Sequence, residues 1–154
     1  MKECYETIQK LILLSKKYSS MDEFLKSEEF DSLMKEVLMI NDVKARAITM
    51  LGVLGYIDRF SETGVSIKTN KHINNLKEIL MNTNKNVDFS DISRLFMKES
   101  NRSLLAEYID PSFKKEELAL CFVSSANFSN NLRSNYVNPF KKNSSSKKEE
   151  LYFS

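Results

Sequence analysis

"LGVLGYIDRFSETGVSIKTNKHI" spans Leu51 to Ile73 and contains all three glycines of the chain, Gly52, Gly55 and Gly64. A chain so poor in glycine that concentrates it in one stretch invites a conformational explanation. Glycine populates φ > 0 without a steric penalty and commonly closes a helix or forms a tight turn. The preceding "DVKARAITMLGVL" reads as a helix in which Val43, Ala47, Met50, Leu51 and Leu54 share a face. Gly55 then stands where a C-terminal cap belongs. "YIDRF" alternates as a short strand, and "SETG" supplies a turn with Gly64 able to take φ > 0. "VSIKT" alternates again, so the pattern predicts a β-hairpin of 56–60 against 65–68.

Working outward, "YETIQKLILLSKKY" carries Ile8, Leu11, Ile12 and Ser15 on one helical face. Ser20, three residues before Glu23, opens a short second helix as in a capping box. "DSLMKEVLMI" forms a third, capped by Asp31 or Ser32. Asn41 is read as the cap of the 43–54 helix, with Asp42 favouring its positive end. Thr69 or Asn70 caps "KHINNLKEILMN", and Ser90 caps "DISRLFMKES". "SLLAEYI" continues as helix, Pro111 breaks the chain, and "KKEELALCFVSSA" is a last helix. From about Asn127 the sequence is rich in Asn, Ser and Lys without apolar periodicity, which reads as a disordered tail.

The order helix, helix, helix, hairpin, helix resembles winged-helix DNA-binding domains over about residues 30–82. The carriers are Leu54, Gly55, Tyr56 and Ile57 at the end of a recognition helix, the charged turn "RFSETG", and Thr69 before "NKHINNL". The match departs at Met39, Ile40 and Asn41, where a small residue usually makes a tight turn, and at acidic Glu62 on the wing tip. The implied fold is mainly α: a winged-helix-like domain over 1–90 with one small hairpin, a helical extension over 91–126, and a tail over 127–154.

Charge supports an anionic partner. Residues 1–42 hold six basic and nine acidic side chains, whereas 43–85 hold seven basic and three acidic. The resemblance implies that Arg46 and Thr49 read base edges while Ala45 permits close approach. Lys44, Arg59, Lys68 and Lys71 stand where phosphate contacts fix register. The expected function is non-enzymatic binding of double-stranded DNA, as a transcriptional regulator or a replication or maintenance factor. Dimerisation through the N-terminal helix or the 92–125 helices suits paired half-sites.

Other classes are weaker. His72 is the sole histidine, against a histidine metal site or triad, and it reads as a surface residue of a first helical turn. Neither Glu28 with Glu29 nor Asp88 with Asp91 is matched to a nucleophile or a metal ligand. Cys4 and Cys121 fit no C-x-x-C pattern and are expected to be reduced thiols. No cofactor is implied. No apolar run of membrane-spanning length or signal region is present, so the expected setting is cytosolic or intracellular, nucleoid or nucleus included. The abundance of Lys, Asn, Ser and Ile fits AT-rich coding, as in a low-GC bacterium, a phage or a large DNA virus. The rival reading is an all-helical protein-interaction module, such as a viral adaptor, with 56–68 as an interhelical loop and a groove on the bundle. A third reading makes the chain the DNA-reading domain of a larger machine.

Overall fold

The computed structural model describes residues 2–61, 68, 70–83, 87–105 and 114–137. Among these the chain is mainly helical and forms no strand. In chain order the helices are α1 (Lys2–Ser15), α2 (Met21–Leu25), α3 (Glu28–Leu38), α4 (Val43–Phe60), α5 (Lys71–Thr83), α6 (Phe89–Leu105) and α7 (Lys115–Val137).

Local chemistry sets most helix starts. The Ser20 hydroxyl accepts the Glu23 amide at 3.2 Å, as the spacing predicts. α3 begins earlier than Asp31 or Ser32, because Ser27 accepts from the Phe30 amide and places Glu28, Glu29 and Asp31 at the positive end of the helix. Asp42, not Asn41, caps α4 through the Ala45 amide at 2.8 Å. Asn70 caps α5 by accepting from His72 and Ile73. Asp88, not Ser90, opens α6 and accepts the Ser90 amide.

The decisive element is α4. Every residue from Ala47 to Ile57 is buried. A helix apolar around its whole circumference must lie inside the core, because no face of it can be left to water. The surrounding helices supply its coat. α1 runs beside it, with the Cys4 thiol donating to the Ala45 carbonyl and Ile8 over Gly52. α5 buries Ile73, Leu76 and Leu80, and α3 buries Phe30, Leu33, Met34 and Val37. α6 and α7 form an antiparallel pair. Ser93 donates to the Ala126 carbonyl at one end and Ser100 to the Ala119 carbonyl at the other. Between them the Phe96 and Phe122 rings stack with centroids 6.0 Å apart.

Two expectations are corrected here. Residues 56–60 are not a wing strand. They continue α4, with Tyr56 and Ile57 buried, so the hairpin pairing 56–60 with 65–68 does not form. Most of the second expected strand, and Gly64 with it, lies outside the described residues, while Lys68 is helical. Nor does order end near Asn127. α7 continues to Val137, Ser129 is buried, and Phe128 and Leu132 pack on the core. The rest of the expected tail, 138–154, lies outside the described residues.

Gly52 and Gly55 therefore sit inside a helix, and their use is close packing. A Cβ on Gly55 would stand 2.5 Å from Ser125 Cα and 2.8 Å from Ser125 N. At Gly52 it would meet Ile8 Cδ1 at 2.4 Å, with the nearest backbone of other elements farther away. The first obstacle is the backbone of α7 and the second is the end of a side chain. Alanine raises intrinsic helix propensity by about 1 kcal/mol over glycine, whereas overpacking a tight core costs about 1–3 kcal/mol. Gly55→Ala should therefore lower stability in urea unfolding by up to about 2 kcal/mol, and Gly52→Ala by clearly less.

Burial of Tyr56 gives a second check. Desolvation pushes its phenol up to about 12, against the lowering effect of a hydrogen bond with Ser15. The folded state thus favours the neutral phenol more than the unfolded chain does, whose tyrosine titrates near 10.0. The stability that this preference contributes is intact below pH 10 and is lost as pH rises from there towards 12. Alkaline melts should show that decline. Tyr56→Phe should reduce it, and the ultraviolet phenolate titration should lose one late-ionising tyrosine.

Candidate interaction groove

The residues read as a DNA-contacting set do not form one surface. Lys44 is exposed in the first turn of α4. Ala45 is half-buried, and its carbonyl accepts the Thr49 hydroxyl at 2.8 Å. Thr49 is fully buried and turned inward. Arg46 is half-buried, with Nη1 donating to the Ile40 carbonyl at 2.9 Å, so it braces the α3–α4 corner. Arg59 is exposed at the far end of α4. At 1.5 Å per residue it stands about 22 Å from Lys44 along the axis. Lys68 and Lys71 are exposed beyond that end, and the Lys68 carbonyl accepts from Asn74. The helix expected to read bases presents its middle to the core.

Among the described residues, an open groove of about 300 Å³ lies between α1 and α3. Lys10 and Leu14 line it from α1. Glu28, Glu29, Ser32, Leu33 and Glu36 line it from α3. The two helices are antiparallel here, as two ion pairs show. Lys10 Nζ meets Glu36 Oε2 at 2.8 Å, and Lys17 Nζ meets Glu29 Oε2 at 3.2 Å. Leu14 and Leu33 sit between these bridges. Leu33 is buried and Leu14 is partly open, so the groove has an apolar floor and a charged rim. Leu13, next to Leu14 on α1, is 42% exposed.

The rim is predominantly anionic, with three glutamates and one lysine among the lining residues. The Tyr18 hydroxyl donates to Glu29 Oε1 at 2.6 Å. That hydrogen bond, and then the one from Lys17, hold the Glu29 carboxyl below the usual range. Both ion pairs are solvent-exposed, so they orient the rim more than they stabilise the fold.

Several other polar groups are accounted for by packing. Glu99 is buried and reaches the exposed Arg102 at 3.1 Å, while the Tyr5 hydroxyl shares a hydrogen bond with Ser103 at 3.0 Å. His72 is half-buried and contacts Asp31 at 2.7 Å, with its ring edge-on to Phe30, tying α5 to α3. Asp91 pairs with Arg94. Among the described residues no group of three or more His, Cys, Asp or Glu side chains is placed to hold a metal ion. No described helix is long and apolar enough to cross a membrane.

Comparison with known protein families, curated proteins and solved structures finds no match to this chain. The groove is not singled out by the sequence reading, which notes only the Glu28–Glu29 pair. One signal was present: Lys10 and Lys17 are seven residues apart, as are Glu29 and Glu36. The antiparallel alignment of α1 and α3 that joins them is not visible in either segment alone.

Tyr18→Phe removes the leading cause of the depressed Glu29 acidity. The Glu29 carboxyl should then titrate closer to 4.5 in an NMR pH series. A depressed carboxyl contributes stability above its unfolded value and loses it as pH falls through the folded value. The variant should therefore show a weaker acid-side dependence of stability in that window.

Proposed function

We propose that this chain is an all-helical protein-interaction module that acts by binding, and that the α1–α3 groove is its docking surface. The observation that carries the reading is the groove itself: an open channel with a leucine floor and a charged rim, flanked by exposed Leu13. An amphipathic helix laid in such a groove buries its apolar face on the floor and leaves its polar flanks at the rim. α1 and α3 are each anchored in the core by their opposite faces, so the surface is preformed and little ordering is required on binding.

Selection of helical peptides against the folded protein, with binding mapped by backbone NMR shifts, tests this. Shifts should concentrate at Lys10, Leu14, Ser32 and Glu36. Ser32→Trp alters an exposed side chain in the groove. It should weaken the selected peptides at least tenfold with the melting temperature unchanged. Binders that map elsewhere and ignore Ser32→Trp would sink the reading.

Binding of double-stranded DNA without a wing is the second reading, favoured by the exposure of Lys44, Arg59, Lys68 and Lys71. The burial of Thr49 weighs against base readout by α4 and leaves phosphate contact as its main means. Duplex DNA titrated at two salt concentrations discriminates. This reading requires steeply salt-dependent binding that Lys68→Ala and Lys71→Ala each flatten by about one unit of slope.

A further inference from the structure

We infer that the partner of the α1–α3 groove is a basic amphipathic helix carrying Lys or Arg at two positions seven residues apart, with an apolar anchor between them. The inference rests on the docking role proposed above and adds the partner's chemistry.

Charge and spacing on α3 lead to it. Glu29 and Glu36 are two helical turns apart, about 10.5 Å along the axis. Each already accepts one lysine: Glu29 from Lys17, just past the end of α1, at 3.2 Å, and Glu36 from Lys10 within α1 at 2.8 Å. Those lysines, Lys10 and Lys17, have exposed side chains. A carboxylate has about four acceptor positions, so each glutamate can take a second cation while its lysine partner stays or swings into water. Glu28 adds a third negative charge on the same helix, and no lysine of α1 is paired with it at the groove. With Lys17 counted beside Lys10, the groove carries three carboxylates against two ammonium groups, an excess of one negative charge.

A partner helix lying along the groove matches this pattern at i and i+7. Its residue at i+3 or i+4 falls between the two bridges, over Leu14 and Leu33. Cations at i and i+7 meet Glu29 and Glu36 and offset the negative excess, whereas an acidic helix would add to it. Charge complementarity of this kind governs partner choice and encounter rate more than total affinity.

Three short helical peptides with identical apolar residues test the inference, bearing Lys, Gln or Glu at i and i+7. The Lys peptide should bind about fivefold more tightly than the Gln peptide, as expected for two exposed ion pairs, and the Glu peptide least. The Lys preference should vanish at about 1 M salt, where charges are screened within roughly 3 Å. Glu29→Gln with Glu36→Gln should abolish the preference, so that the Lys and Gln peptides bind alike. The salt series on the wild-type chain carries the same test if that variant folds poorly. Equal or tighter binding of the Gln or Glu peptide, still blocked by Ser32→Trp, overturns the basic-partner inference and leaves the docking role standing. Failure of all three to bind overturns both.

Discussion

The contact between Gly55 and Ser125 is the constraint on which the arrangement turns. With only hydrogen on Gly55, the backbones of α4 and α7 approach until an added Cβ would lie 2.5 Å from Ser125 Cα. Nothing larger than glycine fits without separating the helices. The small side chain on the other side is equally important. Ser125 turns its hydroxyl back to its own helix, donating to the Cys121 carbonyl at 2.9 Å, and also lies 3.4 Å from the Gly52 carbonyl. A buried hydroxyl satisfied in this way brings little volume and no unpaired donor into the crossing. Ser93, Ser100 and Ser129 follow the same rule, each donating to a helix carbonyl. The buried serines of α6 and α7 thus act as small residues that allow close approach.

That crossing explains how α4 can be buried from Ala47 to Ile57 in a chain of this size. A helix sheathed on every side needs neighbours at short distance, since a gap around it forfeits dispersion contacts. α7 comes closest at Gly55, and α1 seats Ile8 against Gly52. Large side chains then fill the wider spaces: Phe24, Phe30, Phe89, Phe96 and Phe122 are all fully buried. The alternation of very small and very large residues lets one helix serve as the core for the others.

Much of this was legible in the sequence where the determinant is local. The α1 stripe of Ile8, Leu11, Ile12 and Ser15, the Ser20 cap and the Asn70 cap depend on residues within a turn of one another. Gly55 was misread because its meaning is not local. A glycine after an apolar run looks the same whether it ends a helix or makes room for one. Ser125 decides between these, and it is seventy positions away from Gly55. "YIDRF" misled similarly: alternation over five residues cannot separate a strand from a helix end with Tyr56 and Ile57 inside and Asp58 and Arg59 outside. Thr49 reads as an outward, hydrogen-bonding residue, yet its hydroxyl is satisfied by the Ala45 carbonyl and can be buried at little expense.

Once α4 is the core, surface chemistry must come from the helices around it, and regional charge becomes a poor guide to a site. Of the basic residues between 43 and 85, Lys44 and Arg59 stand at opposite ends of a long buried helix and Lys71 at the start of the next, so these make no single face. Three of the acidic residues of 1–42 are concentrated, because α3 directs Glu28, Glu29 and Glu36 to the channel it forms with α1. α1 serves both roles: Ile8, Leu11 and Ile12 bind it to the core, and Lys10 and Leu14 one face over form the groove wall. α3 does the same with Phe30, Leu33 and Val37 inward and Glu29, Ser32 and Glu36 outward. A groove whose two walls are held by the core cannot widen without disturbing it. The freedom left at its rim lies in the ends of Lys10, Lys17 and the glutamates, which can exchange partners while both helices stay in place.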